Sequence, residues 1–328
     1  MALKGGVTMA TIEQIKALIK MHFENNDDKF RTIALQIAAH EAKIGHPSSA
    51  RDIKNLVQSP KYEVSRKILK FTGNNEAVER KCSIETFDQL VVADILEENI
   101  GRLINEYRKK ELLRKNGLKN RSKILCIGDP GTGKTMTATV ISNELSLPLY
   151  VIQIEKLITK YMGETSVKLK QVFDNIYEIP GVYLFDEFDA IGSDRSLDND
   201  VGEMRRILNS FLQYIENDDS NSIIIAATNN PKILDRALFR RFDDVWKYKI
   251  PDQEQITRLI KMKLSDFDLK DILNKKTFEV ADGLNHADIV KACEETIKYS
   301  ILEQTQINQD IFLHYIEDRK ALYKYKEA

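Results

Sequence analysis

Residues 123–135 read KILCIGDPGTGKT, and the reading of this stretch decides the fold. A short apolar run, Ile124 to Ile127, meets a glycine-rich loop, and the helix-forming segment MTATVISNEL follows at once. The loop satisfies G-x-x-x-x-G-K-[ST] in the strand, loop and helix setting that gives the pattern its meaning. Glycines let consecutive backbone N–H groups converge on phosphate oxygens with no side chain in the way, and the start of the following helix adds a favourable dipole. Gly128, Asp129, Pro130, Gly131, Thr132, Gly133, Lys134, Thr135 and Met136 are therefore candidate ATP-binding residues. Lys134 supplies the cation for the β- and γ-phosphates, and the Thr135 hydroxyl is a candidate ligand for Mg²⁺. In a chain of this length the four fixed positions would coincide by chance on the order of one time in a hundred.

Downstream, VYLFDEFD (residues 182–189) is an apolar strand ending in two acids. The ends of parallel strands are where such sheets bind ligands, which suits Asp186 to Mg²⁺ and Glu187 to polarising the attacking water. Acids after a strand are commonly helix caps, and Asp189 is read as capping or local structure. SIIIAATNN (residues 222–230) ends a further strand at Asn229, whose amide can orient water near the γ-phosphate; a turn asparagine before Pro231 is the alternative.

Around these motifs, KILCIG, PLYVIQI, GVYLFD and SIIIAAT alternate with helix-length segments. That alternation predicts an α/β fold with a parallel sheet flanked by helices, expected over residues 83–250. After Pro251 the strands stop, and helical stripes such as Ile256, Leu259 and Ile260, then Ile289, Ala292, Cys293 and Ile297, predict a C-terminal helical domain over 251–328. At the other end, Thr11 with Gln14 and Ser49 with Asp52 read as helix starts, and Phe30, Ile33, Ala34 and Ile37 share a helical face. A helical N-terminal domain is expected over 9–58, and the aperiodic, charged stretch 59–82 reads as a linker.

The chain has 328 residues, with 49 Lys and Arg against 50 Asp and Glu, so no global field gathers nucleic acid or an anionic membrane. No apolar run approaches membrane-spanning length and the N-terminus shows no apolar signal core, so a cytoplasmic location is expected. Cys82, Cys126 and Cys293 are widely spaced and odd in number, as reduced thiols would be. His22, His40, His46, His286 and His314 share no metal-ligand spacing. No H-E-x-x-H or G-x-S-x-G protease motif is present, so any proteolysis would come from a partner.

Together the motifs make residues from about 83 to 320 resemble the AAA family of AAA+ ATPases, the group that includes katanin, spastin, FtsH and the proteasomal ATPases. The resemblance makes GDPGTGKT a Walker A motif, LFDEFD a Walker B motif and Asn229 a sensor-1 residue. It implies a small helical lid, a homo-oligomer, by resemblance a hexamer, and arginine fingers at Arg240 and Arg241 in ALFRRFDD that reach a neighbouring subunit's γ-phosphate; an ordinary surface pair is the alternative. It also implies a pore loop at KYMGE, with Lys160, Tyr161 and Met162, in which Tyr161 grips a translocating polypeptide; a packed turn tyrosine is the alternative. His286 is brought toward the base or ribose, with an ordinary residue of a helix-capping loop as the other reading. The sequence departs from the family at Asp129, at the missing Pro-Gly spacer before RFD, and at NHAD (residues 285–288), where Ser-Gly-Ala-Asp is typical. The expected function is an ATP-hydrolysing unfoldase or complex remodeller, with an ATP-dependent switch or loader on nucleic acid as the alternative from another class. The N-terminal stretch before a single ATPase module also resembles small bacterial ATPases paired with a subtilisin-like serine protease, which implies a separate protease partner.

Overall fold

The computed structural model describes residues 77–81, 85–158, 164–190, 200–231, 236–265, 267, 269 and 271–324, together with residues 16–18, 20–21, 27–43, 50–51 and 53–54 near the N-terminus. The chain divides into two compact units, Met1–Thr72 and Gly73–Ala328. In the first, helix α1 (Asp27–Lys43) buries Ala34, Ile37 and Ala38, three positions of its apolar stripe. Thr11, Gln14, Ser49 and Asp52, read as helix starts, lie outside the described residues.

The second unit is built on a six-stranded sheet of β1 (Val78–Lys81), β2 (Lys123–Ile127), β3 (Leu149–Gln153), β4 (Val182–Asp186), β5 (Ile223–Thr228) and β6 (Asp244–Lys247). The strand order is β1-β3-β4-β5-β2-β6, with β1 antiparallel to β3 and every other pair parallel. Strand β5 is buried along its whole length and β4 in all but its last residue, as expected of parallel strands covered on both faces. Strand β1 corrects the expected linker over 59–82, because residues 78–81 belong to the sheet. It is an edge strand with three of four residues exposed, and its VERK sequence carries no apolar alternation to betray it.

Helices α2 (Asp94–Arg108), α3 (Lys110–Lys115), α4 (Lys134–Leu145), α5 (Ile154–Leu157), α6 (Glu164–Glu178), α7 (Asp200–Asn217) and α8 (Arg236–Phe239) accompany the sheet. Leu96, Ile100, Leu103 and Ile104 of α2 and Ala138, Val140 and Ile141 of α4 form one core with Ile124, Cys126, Leu184, Ile225 and Trp246. An aromatic cluster of Phe173, Phe185, Phe188 and Phe211 joins α6, β4 and α7, with ring centroids 4.5–5.8 Å apart.

Four further helices follow: α9 (Gln253–Lys263), α10 (Lys275–Ala281), α11 (His286–Glu303) and α12 (Gln309–Lys324). Asp252 opens α9 with a capping box, its side chain accepting from the Gln255 backbone N–H at 2.9 Å. Ile256, Leu259, Ile260, Ile289, Ala292, Cys293, Phe312 and Ile316 make a second core, joined by Val91 from the segment before α2. Cys126 and Cys293 are free thiols, and burial pushes each up to about 12, so both stay protonated at neutral pH. Cys82 lies outside the described residues. Among the described residues no helix is long and apolar enough to cross a membrane.

Candidate active site

Strand order assembles the site. Strand β5 lies between β4 and β2, and all three are parallel, so their C-terminal ends open on the same edge of the sheet. The phosphate-type loop leaves β2, Asp186 and Glu187 end β4, and Asn229 follows β5. Residues more than 40 positions apart in the chain thereby meet across two inter-strand spacings of about 5 Å each.

The loop itself is shaped by its glycines. Gly131 and Gly133 have φ of +75° and +102°, in the left-handed region that glycine enters without a Cβ clash. Gly128 is needed for a different reason, since a Cβ there would sit 2.5 Å from the carbonyl oxygen of Tyr248. The Tyr248 N–H donates to Ile127 O at 2.7 Å, and its hydroxyl donates to Thr137 Oγ1 on α4 at 2.8 Å. Tyr248 therefore braces both sides of the loop from behind. The Asp129 side chain is exposed while its backbone carbonyl accepts from Thr132 Oγ1 at 2.7 Å, so this departure from the family pattern costs the loop no contact.

At the start of α4, Lys134 is buried, and its Nζ donates to Gly128 O at 2.6 Å, Asp129 O at 2.9 Å and Asn229 Oδ1 at 2.8 Å. Burial pulls the ammonium below the ordinary lysine value, and the nearby Asp186 carboxylate opposes that pull. Thr135 Oγ1 donates to Asp186 Oδ2 at 3.0 Å, which sets a hydroxyl and a carboxylate oxygen side by side. This pair fits a hard cation that takes oxygen ligands. Glu187 is exposed, lines the cleft and sits at φ 51°, a left-handed turn that is uncommon outside glycine. Asp189 Oδ1 accepts from the Asn229 backbone N–H at 3.1 Å, so it ties the end of β5 to the turn after β4.

A cleft of about 440 Å³ runs from these polar groups to an apolar end formed by Leu90, Val91, Leu259, Met262 and Val290. His286 also lines it, is only 8% exposed, and neither ring nitrogen has a partner among the described residues. Burial pushes its pKa down to about 4, against a smaller opposing effect of Asp252, so the imidazole is neutral at pH 7. The two sequence readings of His286 are compatible: it is the first residue of α11, capped by Asn285, and it faces the cleft. Pro130, Gly131, Gly133 and Met136 line the same cleft. Thr132, within the loop, is buried.

Arg240 and Arg241 are not among the residues lining this cleft. Arg240 is exposed, and Arg241 Nε donates to Glu216 Oε2 on α7 at 3.0 Å. Lys160, Tyr161 and Met162 lie outside the described residues. Sequence reasoning missed Tyr248 and the tie from Asp189 to Asn229, because both depend on strand neighbours far apart in the chain.

Residues 124–249 match the model of the ATPase family associated with various cellular activities (AAA). The chain is 32% identical over 318 residues to an uncharacterized AAA family ATPase of Sinorhizobium fredii, covering 94% of this chain and 96% of that protein. It is also 31% identical over 238 residues to a proteasome-activating nucleotidase of Methanococcus maripaludis, 67% of this chain and 58% of that one. A putative 26S proteasome regulatory subunit homolog of Methanothermobacter thermautotrophicus is 34% identical over 150 residues, 45% of this chain and 40% of that one. The α/β sheet, the phosphate-type loop at the end of β2 and the near full-length similarity converge: the chain belongs to the AAA family, and it is a nucleotide-binding ATPase.

Proposed function

We propose that the protein is a ring-forming ATP-driven remodeller that pulls polypeptide clients through a central pore. The observation that carries the hydrolytic part of this reading is the pairing of Lys134 with Asn229 and of Thr135 with Asp186 through direct hydrogen bonds, all four lining a cleft large enough for a nucleotide. In this reading Lys134 exchanges its backbone and Asn229 acceptors for phosphate oxygens, a stronger charge-assisted pairing. Glu187 takes the proton of the attacking water, and Asn229, freed from Lys134, orients that water. Thr135 and Asp186 would hold Mg²⁺, which would neutralise charge on the phosphate oxygens. Leu90, Val91, Leu259, Met262 and Val290 enclose the base.

Arg240 and Arg241 suit a role in trans, as arginine fingers supplied to the next copy, because neither lines the cleft of its own chain. A hexamer with head-to-tail interfaces is the assembly that this requires by analogy. Several relatives carry names tying them to the proteasome, which supports a polypeptide client and proteolysis supplied by a separate protein. A division into N-terminal helices, an α/β domain that includes β1 and runs to residue 250, and a helical domain over 251–328 accompanies this reading, with the N-terminal helices recruiting clients.

Tyr161 in KYMGE gives the test. Tyr161→Ala is expected to keep ATP binding, oligomerisation and much of the basal ATPase while losing client unfolding, and Tyr161→Phe is expected to retain it, since grip uses the ring. A joint fall in melting temperature, turnover and unfolding for Tyr161→Ala would mark a packed turn residue and favour a switch that threads nothing.

A further inference from the structure

The C-terminal helix reaches back to the nucleotide loop through a chain of contacts that begins at Tyr323, near the end of α12. The Tyr323 hydroxyl donates to Asp288 Oδ2 and accepts from Asn285 Nδ2 at 2.9 Å. Asn285 is the N-cap of α11, and its Oδ1 accepts from the Asp288 backbone N–H at 2.9 Å. An asparagine amide has two faces of similar shape, and one hydrogen bond to each side fixes which way it points. The oriented amide then lies directly against the loop, since a Cβ on Gly131 would be 2.7 Å from Asn285 Oδ1. Two residues on, the Ala287 N–H donates to Gly131 O at 3.0 Å. Helix α11 thus grips the loop at Gly131 by one hydrogen bond and one close contact, and Tyr323 fixes the residue that makes the close contact.

We propose that Tyr323 is a positioning residue for nucleotide binding, holding the Asn285 amide and the start of α11 against Gly131 so that the loop is set for phosphate before ATP arrives. Its hydroxyl touches neither the cleft lining nor the groups assigned to chemistry. Its effect therefore belongs on affinity, because a loop set in advance saves the cost of ordering it on binding. The inference rests on the loop being the nucleotide site, and the test keeps the two claims apart. Tyr323 is 41% exposed, so losing its hydroxyl opens no cavity and leaves little to lose in folding.

The experiment measures ATP binding by calorimetry, steady-state turnover and melting temperature on the full chain for wild type, Lys134→Ala, Tyr323→Phe, Asn285→Ala and the double variant Tyr323→Phe/Asn285→Ala. Because the loop would then have to be ordered on binding, the ATP Kd and KM are expected to rise by about tenfold. The kcat should stay within about twofold and the melting temperature should be nearly unchanged, as for an interaction that serves ground and transition states alike. The double variant should bind no more weakly than Asn285→Ala, because Tyr323 acts through that amide. Tyr323→Phe with wild-type Kd, a fall in melting temperature without a change in Kd, a fall in kcat at unchanged KM, or additive losses in the double variant would each overturn the proposal alone. Lys134→Ala binding ATP as tightly as wild type would overturn the nucleotide-site reading and this proposal with it.

Discussion

Acidification from pH 7.5 to 5 should destabilise the protein through His286, and by an amount set by its burial. The ring is 8% exposed, neither nitrogen has a partner among the described residues, and its pKa falls from 6.5 to about 4. Because the folded-state value is depressed, the unfolded chain takes up a proton at this site near pH 6.5 while the folded chain refuses it until about pH 4. Stability is therefore unaffected by this group above pH 6.5 and declines as pH falls through the window down to about 4. Each pH unit inside the window is worth about 1.4 kcal/mol, which gives a loss of about 2 kcal/mol at pH 5 and about 3 kcal/mol across the window. Trp246, the single tryptophan and 1% exposed, reports unfolding of this unit by fluorescence. Urea midpoints at pH 7.5, 6 and 5 should fall more steeply for the wild type than for His286→Gln, which cannot titrate. Slopes agreeing within about 0.5 kcal/mol over that range would refute the buried, unpartnered imidazole.

Two further outcomes are expected. Gly128→Ala forces a methyl to within 2.5 Å of Tyr248 O and 2.7 Å of Tyr248 Cβ, so the loop or the end of β6 must shift, with about 1–3 kcal/mol lost in urea unfolding and weaker ATP binding; unchanged values in both would show the contact to be slack. Light scattering on the wild type with ATP should find a closed oligomer of the 37.7 kDa chain, and Arg240→Ala/Arg241→Ala should assemble yet hydrolyse ATP at least a hundredfold more slowly; a monomer with full activity would remove the fingers from the site.

The parts of this site that could be read from sequence are those where one short segment holds both the chemistry and its context. In GDPGTGKT the glycine spacing, the lysine and the flanking strand and helix are contiguous, and in VYLFDEFD the acids follow directly on the strand that carries them. The supports were illegible for the opposite reason. Tyr248 touches Gly128 because β6 pairs with β2 across more than a hundred residues, and Asp189 reaches Asn229 because β4 pairs with β5. Neither residue type announces such a contact locally. Strand β1 was hidden in an apparent linker because an edge strand with one neighbour can be VERK as easily as VIVI. The convergence of Thr135, Asp186, Lys134 and Asn229 followed from order along the chain only once parallel strands were assumed. The order β4-β5-β2 converts that assumption into distances of 2.8–3.0 Å.

The central claim is that this cleft hydrolyses ATP with Glu187 as the base that activates water. Its most direct test is equilibrium ATP binding and single-turnover hydrolysis on the same preparations of wild type and Glu187→Gln. The amide keeps the size and polarity of the side chain but accepts no proton, so the variant should bind ATP as the wild type does while hydrolysis falls by about 10²–10⁴-fold. Glu187→Gln turning over ATP at the wild-type rate would contradict the account.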